Sequence, residues 1–293
     1  GHLKRCLQFG SFLEKKKFKV FYYILTKYQK FKPNEISLKK YKYVNFKKHF
    51  KYLIKSPLII DSYYINKDTE KRIFIKNNNI IILDDKNERY RFSKIVISPH
   101  PFKKKFIKYQ NRQIILQGSK FTIISDFIKK VVRKTNNKNF SILINFGYAS
   151  NKELKYFIKN YNLIEKFIYF FLIKNKVYKL KNKKLILYKS NYKSILSKVK
   201  FCIGSPGLSQ VERIFLKIPS LLFSTSKDQE YNGKYYQKYL NNYLYKLNKN
   251  NIKKITLEKI LKTYKFFHKK NLKIDGKGLI RIFSKVNKIL NNE

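Results

Sequence analysis

Residues 200–223, KFCIGSPGLSQVERIFLKIPSLLF, join two apolar runs through a turn of small and polar residues. The first run ends at Gly204; Ser205, Pro206 and Gly207 turn the chain, and a helix pattern begins near Leu208. In an open parallel sheet, ligands sit beyond the carboxyl ends of the strands. A helix that starts there offers free N–H groups and a positive dipole to an anion. Gly204 and Gly207 let the backbone approach a phosphate, and Ser205 and Ser209 add hydroxyl donors. Glu212, in the first turns of the helix, can accept hydrogen bonds from ribose hydroxyls. The same residues also spell an ordinary strand-to-helix turn with a capped helix and a surface glutamate. The spacing is neither a P-loop nor a G-x-G-x-x-G fingerprint, so on spacing alone both readings stand.

The remaining candidates for chemistry are few. His49 and His268 lie in lysine-rich stretches and read as surface residues, and His100, in SPHP, reads as a loop histidine without a partner. His2 is either a solvated residue at the chain start or a proton acceptor. Cys6 and Cys202 are the only cysteines and fit neither a C-x-x-C nor a Cys/His ligand spacing. That argues for a reducing, cytoplasmic setting and against structural zinc. With no metal-ligand cluster visible, no cofactor is expected.

The chain carries 68 Lys and Arg against 17 Asp and Glu, a formal net charge of +51. Such a field favours phosphate, and counterion release makes polyanion binding its simplest consequence. The lysines are spread over every predicted helix and loop, as in EKKKFK, LKKYKY and HPFKKKFIKYQ. No RNP, KH or zinc-finger pattern accompanies them. This reads as lysine used as a general surface residue, so nucleic acid is not the expected partner. The diffuse basicity allows weak association with an anionic membrane surface, and it favours a small anionic ligand in any case.

The elements that must position these residues alternate. Strand candidates are 18–25, 57–61, 80–85, 95–98 and 114–117, then 142–147, 167–173, 184–188, 200–204 and 220–224. Most are short continuous apolar runs bounded by turn residues, as in strands buried on both faces of a parallel sheet. Helix patterns cover 207–217, 229–241, about 256–268 and about 278–290. This predicts an α/β doubly wound architecture. The polar stretch RKTNNKN (133–139) reads as a linker. The expected domains are 1–134 and 138–293, two Rossmann-like units with a cleft between them, the last helix crossing back onto the first. With 43% hydrophobic residues, 293 positions can supply both cores. No apolar run approaches the roughly 18 residues of a membrane span, and GHLKRCLQFG lacks the form of a signal peptide.

The order of motifs along the chain carries a resemblance. GHLKRCLQFGSFLEKKKFKVFYYI is similar to the G-x-G-H-x-x-R-x-L-x-L-A segment that opens UDP-sugar hydrolases of the pseudaminic-acid pathway (PseG type) and their spore-coat SpsG relatives. LIIDSYYI (58–65) resembles their D-x-Y strand end, and IIILDDKNERYRFSKIVIS (80–98) their strand ending in Asp-Asp. LQGSKFTIISDF (116–127) resembles the stretch before their linker, and ILINFGYAS (142–150) their S-F-G-G turn. FCIGSPGLSQVERIFLKIPSLLFSTSKDQ resembles their G-x-G-G-x-T-x-x-E signature with its distal Pro and terminal Asn-Gln. The match runs in order over roughly residues 1–240.

The resemblance implies a two-domain GT-B fold, close to MurG-like glycosyltransferases. It makes residues 1–134 the sugar-binding and catalytic domain and residues 138–293 the UDP-binding one. His2 falls on the base that activates water, with Arg5 in the same helix. Asp61 and Tyr63 fall on the element facing the sugar, Gly147 on the turn between domains, and Gln229 near the sugar. Gly204, Ser205, Gly207, Leu208 and Ser209 fall on the diphosphate loop and Glu212 on the ribose-binding glutamate. The implied reaction is inverting attack by water at the anomeric carbon of a UDP-linked diacetamido-trideoxy sugar. Histidine suits the base role because its pKa lies nearest neutral. The chain departs from the pattern at Tyr148 (a glycine in the family), Pro206 (a small residue) and Asp228 (an asparagine). The family's first strand and the first glycine of G-x-G-H fall ahead of Gly1. Two alternatives remain: a MurG-like UDP-sugar glycosyltransferase on the same scaffold, and a non-enzymatic binder of polyanions driven by charge.

Overall fold

A computed structural model describes residues 2–25, 41–44, 54–62, 65–84, 89–101, 107–134, 139–146, 151–161, 164, 167–173, 176–181, 184–240, 243–269 and 274–291. The chain divides into two compact units, Gly1–Ile123 with Gly276–Glu293, and Ile124–Asp275. The boundary between Ile123 and Ile124 falls ahead of the polar stretch 133–139.

The first unit begins with α1 (His2–Lys15). Phe9 and Leu13, four residues apart on one face, are buried, while its lysines point outward. Two residues past the helix, Lys17 takes a left-handed φ of 67°, and the Phe18 N–H bonds to the Leu13 carbonyl. This closes the last turn as a C-terminal cap does, at the cost of a non-glycine residue in that region. Strands β1 (Tyr22–Leu25) and β2 (Tyr41–Val44) pair in parallel. A second sheet runs β3 (Leu58–Ile60), β4 (Ile80–Leu83), β5 (Ile95–Ile97), β6 (Ile114–Leu116) in that order, all parallel.

In a strand, alternate side chains face opposite sides of the sheet, and β4 is buried on both. Ile81 and Leu83 pack with Phe9 and Leu13 of α1 and with Leu279, Ile282 and Val286 of the last helix, here α10 (Gly278–Leu290). Ile80 and Ile82 pack on the opposite side with Ile73 of α2 (Lys67–Lys76). The last helix therefore belongs to the first unit. Its entry needs glycine: a Cβ on Gly278 would lie 2.1 Å from the Thr122 carbonyl oxygen.

The second unit holds α3 (Asp126–Lys129) and a seven-stranded sheet. In chain order its strands are β7 (Ser141–Asn145), β8 (Ile168–Ile173), β9 (Lys176–Lys181), β10 (Lys184–Leu187), β11 (Phe201–Gly204), β12 (Ser220–Ser224) and β13 (Leu244–Lys246). Spatially they run β10-β9-β8-β7-β11-β12-β13. Strands β8, β7, β11, β12 and β13 run parallel to one another, while β9 and β10 are antiparallel additions beside β8. Five strands are thus parallel, as the apolar runs predict, the antiparallel pair makes the sheet mixed, and β9 escapes the apolar-run reading. Only two residues link β8 to β9 and β9 to β10, whereas a parallel neighbour needs a crossover of a dozen or more. The helices are α4 (Asn151–Asn160), α5 (Tyr192–Lys198), α6 (Leu208–Phe215), α7 (Lys227–Leu240), α8 (Lys249–Lys253) and α9 (Leu257–Lys269). Ile142, Ile144, Phe201, Ile203, Leu221 and Phe223 form the core on one side of the sheet with Phe157 and Ile260.

Candidate functional site

Parallel strands end on one edge, so each unit gathers its strand-end residues along a line. In the first unit this edge carries Asp61 after β3, Asp84 after β4, and Ser98 to His100 after β5. Arg5 reaches the edge from α1. It donates to Asp61 through Nε to Oδ2 at 2.9 Å and Nη2 to Oδ1 at 2.8 Å, a bidentate pair joining positions 56 residues apart. The Asp61 carboxylate has no exposed surface and Arg5 is 6% exposed. Arg5 and Asp61 are therefore brought together as one charge-balanced group. Beside them, burial, reinforced by the Asp61 charge, pushes the Cys6 thiol up to about 12, which leaves it protonated and non-nucleophilic at neutral pH.

Further along the same edge lies a network the sequence did not suggest. Glu70 of α2, with no exposed surface, pairs with Arg91 and Arg89, and accepts from the Phe92 N–H at 2.7 Å. Arg91 also reaches Asp84 at 3.3 Å. Asp84 of the Asp-Asp strand end is thus tied into a brace between α2 and the segment before β5. A glutamate in an exposed-looking helix, K-D-T-E-K-R, gives no sequence signal for this. His100 also differs from expectation: it is 5% exposed and engaged with neighbours, not a free loop histidine. The chain packs it between Pro99 and Pro101, all three buried. His2 opens α1, three residues before Arg5; its side chain lies outside the described residues, as do Tyr63, Gly147, Tyr148 and His49, and the side chains of Asp228 and His268.

The second unit's edge is built differently. Strand β11 ends at Gly204, where nothing larger fits: a Cβ there would lie 2.1 Å from the Asn145 carbonyl oxygen of β7. Its glycine is demanded by the neighbouring strand, not by an approaching phosphate. The Ser205 N–H donates to that same carbonyl at 3.3 Å, and Pro206 has no N–H. Gly207, at φ −99°, is the residue that faces open space, since a Cβ on it would meet nothing within 4 Å. Beyond it, the first N–H groups of α6, from Leu208 and Ser209, have no acceptor within the helix. These are the donors the turn presents.

Around this turn, Glu212 is buried at 4% exposure, which replaces the surface-glutamate alternative. Asn145 donates from Nδ2 to the Tyr192 hydroxyl at 3.1 Å. Burial pushes the Tyr192 phenol up, and the Glu212 charge adds to it. Glu212, Tyr192 and the end of β7 thus share one neighbourhood. Arg213, 1% exposed, lies under the turn and donates to the Ser205 carbonyl at 2.8 Å and to Ser209 Oγ at 3.2 Å. Sequence reasoning missed Tyr192 and Arg213; the S-x-x-x-R spacing of 209–213, one helical turn, was the available signal. Gln229, on the first turn of α7, accepts from the Thr225 N–H and hydroxyl through Oε1. Its amide N–H₂ is the end left to donate.

Among the described residues no group of three or more His, Cys, Asp or Glu could hold a metal, and no helix is long and apolar enough to cross a membrane. No family model matches the sequence, and no curated protein matches it either. Among solved structures, the chain is similar to Arabidopsis thaliana UGT89C1, crystallised in complex with UDP-L-rhamnose. The two share 10% sequence identity at a TM-score of 0.52, over 97% of this chain and 95% of the other. The likeness is one of fold: mixed α/β with parallel sheets, of the GT-B type.

Proposed function

We propose that this chain is a UDP-sugar hydrolase: it binds UDP on the second unit and splits the anomeric C–O bond of a UDP-linked diacetamido-trideoxy sugar. The observation that carries the reading is the β11–α6 turn. An open glycine heads a helix whose N-terminal N–H groups and dipole suit a diphosphate, and a buried glutamate follows five residues later. In this assignment Glu212 accepts from the ribose hydroxyls, and Gly207, Leu208 and Ser209 donate to phosphate oxygens. In the first unit the sugar-binding role is assigned to the Arg5–Asp61 pair and Tyr63; in the second it is assigned to Gly147 and to the Gln229 amide as a donor.

The chemistry needs one proton acceptor and one stabilised leaving group. His2 takes the proton from water as the water oxygen bonds to the anomeric carbon. The bond from that carbon to the β-phosphate oxygen breaks, its electron pair passing to the phosphate, and UDP leaves with inversion. Charge developing on the phosphate is met by fixed N–H dipoles, which need no reorganisation in the transition state.

A second reading, transfer of the sugar to an acceptor hydroxyl, draws on the near full-length fold likeness to a chain crystallised with UDP-L-rhamnose. One assay separates the two. Steady UDP release from the UDP-linked diacetamido-trideoxy sugar with water as the sole acceptor is the result expected of the hydrolase. UDP release only on addition of an acceptor supports the transferase, and none under either condition contradicts both.

A further inference from the structure

We propose that Arg213 is a positioning residue for the diphosphate of the bound nucleotide: it fixes the 204–209 turn from beneath and leaves it a positive charge that the anion neutralises. This rests on the nucleotide reading above and names the residue that makes the turn selective for phosphate. The guanidinium bonds to the Ser205 carbonyl, Ser209 Oγ and Gln210 Oε1, the last at 2.9 Å. All three are neutral acceptors. Among the described residues Arg213 forms no ion pair, whereas the other buried arginines, Arg5 and Arg91, each face a carboxylate.

A guanidinium does not give up its proton in a protein, so this buried group keeps its charge. A buried charge that lacks an ion-pair partner is costly unless something of opposite sign approaches. A second group at the same place is also incomplete. Gln210 has no exposed surface, its Oε1 is taken by Arg213, and its Nε2 has no hydrogen-bond partner. Both lie in the first two turns of α6. The guanidinium is also lodged against the floor of the turn, its Nη1 3.4 Å from where a Gly204 Cβ would be. The charge compensates for the donor lost at Pro206: field from below replaces one N–H from the side.

The test is isothermal titration of UDP and of uridine against the wild type, Arg213→Gln and Gln210→Glu. Gln210→Glu keeps the side-chain shape but sets a carboxylate beside Arg213, giving it an internal counter-ion without opening a cavity. For both variants, UDP affinity should fall roughly 10- to 100-fold, the scale of one charge-assisted contact. Uridine affinity should stay within about twofold, and the Gln210→Glu protein, in which the buried Arg213 gains a carboxylate partner, should melt no lower than the wild type. Equal losses for UDP and uridine would reduce Arg213 to a structural brace and overturn the proposal. Unchanged UDP affinity in Gln210→Glu would overturn it too, while leaving the nucleotide reading in place. A wild type that binds no UDP would overturn both.

Discussion

The two strand-end edges occupy equivalent positions in their sheets and treat charge in opposite ways. In the first unit, arginine and carboxylate meet repeatedly: Arg5 with Asp61, Arg91 with Asp84 and Glu70, Arg89 with Glu70. In the second, the buried Arg213 bonds to three neutral oxygens and, among the described residues, forms no ion pair. Paired buried charges fix geometry and exert little field outside. One without an ion-pair partner exerts field beyond itself. Under the function proposed above, the first edge is assigned the sugar and the water, and the second the anionic part of the substrate.

The largest effect that could break this division is on turnover. His2→Ala should lower hydrolysis about 10²- to 10⁴-fold, the range of a lost general base, and leave UDP affinity nearly intact. A matching loss of UDP affinity would mean that the chemistry and the nucleotide are not divided between the edges. Next in size is Glu70→Ala, which strands Arg89 and Arg91 without their buried carboxylate and should cost about 3–5 kcal/mol in urea unfolding. UDP affinity of the folded fraction should not move, because Glu70 serves only the first unit. Glu212→Ala should weaken UDP by roughly 30- to 150-fold, or about 2–3 kcal/mol for two charge-assisted ribose hydrogen bonds. Unchanged affinity in a folded protein would remove Glu212 from the site.

The two glycines of the turn sharpen the comparison at smaller scale. Gly204→Ala forces a Cβ into the Asn145 carbonyl and should destabilise the fold by about 1–3 kcal/mol or more. Gly207→Ala meets no atom and should leave stability within about 1 kcal/mol. Any loss of UDP affinity in the Gly207 variant then reports ligand approach and not folding. The smallest effect concerns Cys6, whose thiol stays protonated because burial and Asp61 hold its pKa near 12. It should resist alkylation at pH 8 in the native protein and react once the chain is unfolded.

Much of the framework was legible in the sequence because buried parallel strands are short apolar runs with turn residues at their ends. Strand 220–224 and helix 278–290 carry those signals and form with those bounds. The strands at 41–44 and 176–181 were not legible, since YKYV and KVYKLK alternate lysine with apolar residues in a chain where lysine is everywhere. At the site, the β11–α6 turn was legible from its glycines and the helix behind it. The reason for Gly204 was not, because the carbonyl it avoids belongs to Asn145, 59 residues earlier by number. Pairings such as Arg5 with Asp61, or Glu70 with Arg91, are long-range facts of packing that no local pattern encodes. Arg213 was hidden for a further reason: an arginine on a helix in a chain of net charge +51 reads as one more surface cation until burial shows otherwise.

The central claim is that this basic chain recognises a uridine diphosphate group at the β11–α6 turn and not merely phosphate in general. Calorimetric titration of UDP at two salt concentrations, beside uridine and pyrophosphate, tests it most directly. The account predicts one saturable UDP site per chain, still present at high salt, tighter than either fragment and lost in Glu212→Ala. Binding that follows total phosphate charge, collapses with salt as counterion release dictates, and ignores Glu212→Ala would contradict it and leave charge alone as the explanation.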